Sequence, residues 1–180
     1  MEEIELVRRC QAGDPKAQEA LVDLYGNQLY RVCFRYVKSR EDAEDILITG
    51  LNKALSAMEG FRHTGPNSLP AWLRRIVVNE SLMWLRRRNS YPVAERHEDY
   101  HEEPDISHAA HLEADEIYSM VTELPVGYRT IFNLSVIEGY SHEEIAGLLG
   151  ISAGTSRSQL FKAKEHLKKI LTREGYHYGT

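Results

Sequence analysis

SHEEIAGLLGISAGTSR, residues 141–157, is the stretch that decides how this chain is read. Ala146 is small enough for two helices to cross closely. Gly150, four residues on, permits a left-handed turn, and Ser152 can cap a second helix. Those are the mechanics of a helix-turn-helix. Along the second helix, 100° per residue brings Ser156, Leu160, Ala163, Leu167, Ile170 and Leu171 onto one packing face. The opposite face then carries Ser158, Phe161 and Lys162, with Thr155 and Arg157 at its edges. An aromatic beside hydroxyl and basic groups suits a major groove. Phe touches a thymine methyl, Arg bridges guanine acceptors, and Lys or Ser holds phosphates. The ordinary alternative is a solvated helix face with one stray aromatic.

Outward from this motif the chain is helical by pattern. Hairpin dipeptides and sustained alternation are missing, so strands are not expected. Further helices are expected over about 109–123, 126–138 and 142–149, with the last over 153–172. Towards the N-terminus, Gly13 ends a helix over 4–12, and Asp14-Pro15 starts one running to about Val37. Ser39 caps a third to about Glu59, whose first turn is rich in acids, as the helix dipole favours. A loop from Arg62 to Ser68 precedes a fourth over about 69–88.

That fourth helix carries an apolar face of Leu69, Trp72, Leu73, Ile76, Val77, Met83 and Trp84, interrupted by Glu80. Beside it runs a separate stripe of Arg75, Asn79, Leu82 and Arg86, extended by Arg87 and Arg88. Arginine at a helix C-terminus is favourable in any soluble protein. An asparagine flanked by arginines one and two turns away is better suited to nucleic acid, with Arg on phosphates and Asn on a base edge. The Gly, Pro, Asn and Ser of the preceding loop have the small polar character of a pocket for an unstacked base.

Charge is distributed unevenly. The formal net charge of −5 divides into about +2 over residues 1–92, −6 over 93–114 and −1 over 115–180. The acidic middle, VAERHEDYHEEPDISHAAHLEA, has little apolar periodicity and reads as a flexible linker. It contains HEDYH (residues 97–101), which satisfies the H-E-x-x-H zinc-peptidase pattern. Charged flanks and Pro104 deny that segment a buried helix, and a third ligand is needed to complete a catalytic shell. His108 and His111 offer nitrogens for adventitious metal only, so no metal site, cofactor or catalytic residue is expected. Apolar runs long enough to span a bilayer do not occur. The acidic N-terminus is unlike a signal peptide, and two isolated cysteines, Cys10 and Cys33, suit a reducing cytoplasm.

Taken in order, these segments resemble a bacterial RNA polymerase sigma factor of the extracytoplasmic-function (ECF) type. Glu41-Asp-Ala-Glu-Asp45 with Ile46-Leu47 resembles the opening of the polymerase-binding helix. Phe61-Arg62, Trp72-Leu-Arg-Arg-Ile76, Asn79 and Leu85-Arg-Arg-Arg88 resemble the promoter-melting helix. Leu124-Pro125, Tyr128-Arg129, Phe132 and Glu138 to Leu160 resemble the domain that reads the upstream promoter element. The resemblance implies an all-α fold of two small helical domains, 1–92 (sigma region 2-like) and 115–180 (sigma region 4-like), joined by the acidic linker 93–114. It implies polymerase binding through Asp42, Asp45, Leu47, Ile48, Leu51 and Met58. It further implies −10 contacts through Arg75, Asn79, Arg86, Arg87, Arg88 and the loop from Arg62 to Pro70, and −35 contacts through Ser152, Thr155, Arg157, Ser158, Phe161 and Lys162. Core polymerase, promoter DNA and an anti-sigma factor are the implied partners, with no small-molecule substrate and no membrane insertion. Ile48, Thr49 and Leu51 depart from the family pattern. They keep open a sigma-like decoy that binds an antagonist; an autonomous helix-turn-helix regulator is the other alternative.

Overall fold

In the computed structural model, which describes residues 2–88 and 114–175 (114–117 by backbone alone), the chain divides into two units, Met1–Arg87 and Arg88–Thr180. The linker pentapeptide HEDYH, Pro104, His108, His111 and the expected start of the fifth helix at 109–113 lie outside the described residues. Among the described residues the regular structure is entirely helical.

The first unit holds α1 (Glu3–Gln11), α2 (Pro15–Val37), α3 (Arg40–Ala57) and α4 (Ser68–Arg87), with a short 3₁₀ turn at Met58–Gly60. Its boundaries follow from local chemistry. Asp14 accepts a hydrogen bond from the Lys16 amide at 2.9 Å and Pro15 supplies the first helical φ, so α2 starts there. Lys38 ends α2 in the left-handed region at φ 60°, and Ser39 then caps α3 by accepting from the Asp42 amide at 3.3 Å. Helices α2, α3 and α4 pack mutually, with α1 laid on α2 and on the 3₁₀ turn.

The core of this unit includes Leu21, Leu29, Val32, Cys33, Tyr36, Ile46, Ala54 and Met58. From α4 it takes Leu69, Leu73, Val77, Val78, Leu82 and Leu85, each stabilising by roughly 1.5–3 kcal/mol when fully withdrawn from water. The buried face of α4 is therefore turned from the one expected. Leu82, assigned to the polar stripe, is 5% exposed, whereas Met83, assigned to the apolar face, is 36% exposed. Trp72, Ile76 and Trp84 lie at the half-buried margin. Small Ser81, fully buried and donating to the Val77 carbonyl at 2.8 Å, lets α4 pack on the side that the large aromatics had disguised. Glu80 reaches Lys53 of α3 at 2.7 Å, which accounts for an acid beside the apolar face.

The second unit holds α5 (Ala114–Glu123), α6 (Val126–Phe132), α7 (His142–Leu149) and α8 (Ala153–Arg173). The single helix expected over 126–138 changes at Asn133 into a π-helical turn, Asn133–Ile137. Helix α8 packs against α5, α6 and α7. The buried Arg129 guanidinium donates to the Leu124 carbonyl at 2.9 Å and the Thr122 carbonyl at 3.4 Å, closing the open C-terminal end of α5. Burial lowers its pKa, yet so strong a base remains charged at neutral pH.

Candidate nucleic-acid interfaces

The helix-turn-helix is assembled by reciprocal caps. Ser141 Oγ accepts from the Glu144 amide at 3.2 Å while the Glu144 carboxylate accepts from the Ser141 amide at 2.8 Å, a capping box that starts α7. Gly150 then turns left-handed at φ 70°, with its amide on the Ala146 carbonyl at 2.9 Å. Ser152 starts α8 by accepting from the Thr155 amide at 2.9 Å. Ile145, Leu160, Ala163 and Leu167 fill the space between the helices. His142 Nδ1 and the fully buried Ser156 Oγ, 2.8 Å apart, tie the start of α7 to α8.

Two of the expected upstream-element residues do not lie on an open face of α8. Thr155 and Ser158 are buried, at 6% and 7% exposure, and do not form an open polar edge. Their hydroxyls are engaged by the helix itself. Thr155 Oγ1 lies 2.9 Å from Ser152 Oγ, and Ser158 Oγ donates to the Thr155 carbonyl at 3.0 Å. Hydroxyls satisfied by nearby backbone are a common competitor to outward presentation. Arg157 is exposed, with its guanidinium 3.6 Å from Glu143 of α7, while Phe161 and Lys162 are half-buried. So exposed a pair contributes little to stability.

On α4, Arg75, Arg86 and Arg87 are exposed, as is Arg88 just past its end, and Asn79 is half-buried on the same side as Arg75 and Arg86. The loop leading into this helix is tightly specified. Phe61 packs against Trp72 in a tilted arrangement, 4.7 Å between ring centroids and 37° between planes. Asn67 takes φ 65°, a left-handed conformation that asparagine tolerates better than most residues. The Ser68 amide donates to the Gly65 carbonyl at 3.2 Å.

Sequence reasoning missed what holds this loop. The Glu3 carboxylate of α1 accepts from the Asn67 amide (3.0 Å), the Leu69 amide (3.0 Å) and the Ser68 hydroxyl (3.1 Å), and lies 3.1 Å from His63 Nε2. It caps α4 from a helix more than sixty residues away. Burial pushes the Glu3 pKa up, but these hydrogen bonds and His63 outweigh it and leave the pKa lowered. Gln11, at the other end of α1, donates to the Met58 carbonyl at 3.2 Å and the Phe61 carbonyl at 2.9 Å. A first-turn glutamate looks in sequence like any dipole-favoured acid, so only the fold reveals its partners.

The residues of the third expected surface, on and just after α3, differ in exposure. Asp45 and Ile48 are exposed, Ile48 at 57%, and Asp42 and Leu47 are half-buried. Met58 and Leu51 are core side chains, at 1% and 8% exposure. Met58 points inward because the chain tightens into the 3₁₀ turn there, and Leu51 follows Gly50 on the side of α3 that meets α4. Leu47 instead lines a groove between α2 and α3 with Val22, Gly26, Tyr30, Arg40 and Glu44. Among the described residues, no cluster of three or more metal-type ligands occurs, and no helix is long and apolar enough to cross a membrane.

Comparison with known proteins agrees with this geometry. The family described as Sigma-70 region 2 matches residues 21–91, and Sigma-70, region 4 matches residues 114–167. The chain is 32% identical to the ECF RNA polymerase sigma-E factor of Haemophilus influenzae, over 91% of this chain and 92% of that protein. It is 34% identical to the ECF RNA polymerase sigma-E factor of Escherichia coli, over 89% of each. Among solved structures, CnrH in complex with the cytosolic domain of CnrY shares the fold, with a TM-score of 0.52 and 24% identity, covering 94% of this chain and 97% of that one. The sigma factor RpoE in complex with the anti-sigma factor NepR, from Bartonella quintana, gives a TM-score of 0.51 at 21% identity, covering 86% and 96%.

Proposed function

The chain belongs to the ECF RNA polymerase sigma factors, and from that membership we propose how its residues divide the work of promoter recognition. As a sigma factor it binds core polymerase and directs promoter-specific initiation. Sigma factors are initiation factors, and we assign this chain no catalytic step: nucleotide chemistry belongs to the polymerase, in the cytoplasm.

We place −10 recognition on the exposed arginines of α4, Arg75, Arg86 and Arg87, and on Arg88 just past its end, with Asn79 among them. The observation that carries this is the pairing of that stripe with a small, polar and tightly pinned loop at the other end of the same helix. Arginines hold the backbone of an opened strand, and a splayed base enters the loop. For the −35 element we place Arg157, Phe161 and Lys162 in the major groove, with Ser152, Thr155 and Ser158 shaping the helix that carries them. Polymerase docking is placed on Asp42, Asp45, Leu47 and Ile48 and on the neighbouring groove between α2 and α3. The linker's −6 charge suits a positive polymerase channel. An anti-sigma factor is the proposed antagonist.

Retention on immobilised core polymerase, followed by transcription from a randomised promoter library, tests this division. Because non-specific affinity comes mostly from phosphate neutralisation, the acidic free chain is expected to bind duplex DNA weakly. A tight sequence-specific complex without core would instead identify an autonomous regulator. One observation favours a second reading, a decoy: Ile48 is an exposed apolar side chain at a position where the family's pattern differs. No retention on core at micromolar concentration would establish it.

A further inference from the structure

Helix α1 grips the α3–α4 loop at both of its ends. Gln11 holds the loop's first carbonyls, those of Met58 and Phe61, at 3.2 and 2.9 Å. One Glu3 carboxylate holds its exit, taking the Asn67 and Leu69 amides and the Ser68 hydroxyl within 3.1 Å. Between these anchors lie Arg62, Thr64 and Pro66, all exposed. The loop contributes few buried apolar groups of its own, and such segments normally sample many conformations. A pocket that must receive one base cannot do so. The groups are also chemically matched: Glu3 is acceptor-only and faces three donors, while the Gln11 amide supplies donors to two carbonyls.

We propose that α1 is a splint for the −10 pocket, with Glu3 and Gln11 as its positioning residues. Neither residue touches DNA in this scheme. They fix the approach of the Arg62–Ser68 loop and the first turn of α4, and through it the register of Arg75 and Asn79. The proposal rests on the reading of that loop as the base pocket. Glu3→Gln is the informative change, because it is nearly isosteric but replaces one acceptor oxygen with a donor facing amide hydrogens.

The test uses full-length chain assembled with core polymerase and a promoter library randomised separately in its −10 and −35 blocks, read by sequencing the transcripts. Glu3→Gln and Gln11→Ala are each expected to lower −10 base enrichment about tenfold, the effect of losing a hydrogen bond to a charged or buried partner. Preference in the −35 block and retention on core should not change, a split that general loss of folding does not produce. Amide exchange supplies the second measurement: in Glu3→Gln the Asn67 and Leu69 amides should exchange at least about tenfold faster, with those of α2 unchanged. Wild-type −10 selectivity that survives both substitutions overturns the splint alone, as does a parallel fall in −35 preference and core retention. A wild-type holoenzyme with −35 preference but no −10 selection overturns the reading of the loop, and the splint with it.

Discussion

Gly50 faces Val77 of α4 across a close helix contact, and replacing it with alanine gives a prediction that can be worked from the structure. A methyl group there would sit 2.8 Å from Val77 Cγ1, with Val77 Cα and Cβ at 3.7 Å. Carbon atoms in favourable contact lie about 3.5–4.0 Å apart, so the new methyl is short by roughly 0.7–1.2 Å. Val77 is 1% exposed and, being β-branched in a helix, has essentially one χ1 rotamer available. The helices must therefore separate. Overpacking of this kind costs about 1–3 kcal/mol, and the better helix propensity of alanine returns about 1 kcal/mol. We expect Gly50→Ala to destabilise the first unit by up to about 2 kcal/mol. Val77→Ala alone should cost about 1–3 kcal/mol through the cavity it leaves, but close to nothing in the Gly50→Ala background, where it removes the clashing methyl. The chain's two tryptophans, Trp72 and Trp84, both lie in the first unit, so urea unfolding followed by tryptophan fluorescence reports that unit selectively. The coupling energy from the four variants should reach at least about 1 kcal/mol. Additivity within about 0.5 kcal/mol, or a Gly50→Ala chain more stable than wild type, would refute the reasoning.

Other outcomes follow from groups already described. Arg129→Met should destabilise the second unit by about 2–4 kcal/mol, because the Thr122 and Leu124 carbonyls lose a buried charged donor; loss of amide-exchange protection in α5 and α6 with α2–α4 unchanged would register it. The lowered Glu3 pKa means that the unfolded chain binds that proton more readily than the native one. The stabilisation is present above the ordinary value of 4.5 and lost as pH falls through the lower folded value. Tryptophan-detected stability should drop across that window less steeply in Glu3→Gln than in wild type. Burial pushes the Cys33 thiol up to about 12 and also raises that of Cys10. Neither should react with a thiol reagent at pH 8 faster than the first unit opens, so labelling rates should track unfolding across the Gly50 and Val77 variants.

Much of this protein is legible residue by residue. Asp14-Pro15, Ser39, Ser141, Gly150 and Ser152 set helix boundaries through hydrogen bonds that span only a few positions, so neighbouring residues suffice to place them. The buried stripe of α8 was legible for the same reason, since Leu160, Ala163, Leu167 and Leu171 repeat with the helix's own period. Order and motif also carried the family, because the two helical modules keep their characteristic residues at fixed spacing. Which side of α4 faces inward was decided only by the tertiary structure. Trp72 and Met83 look as apolar as Leu82 in sequence, but Gly50 and Ser81 make room on one side alone. The same holds for Met58 and Leu51, turned into the core by a 3₁₀ turn and a close helix crossing, and for Thr155 and Ser158, whose hydroxyls bond to their own helix. Glu3 and Gln11 are the extreme case. Their partners lie roughly fifty to sixty-six positions away, and a hydrogen bond over that separation leaves no periodic trace, because it exists only once the chain has brought α1 across the loop.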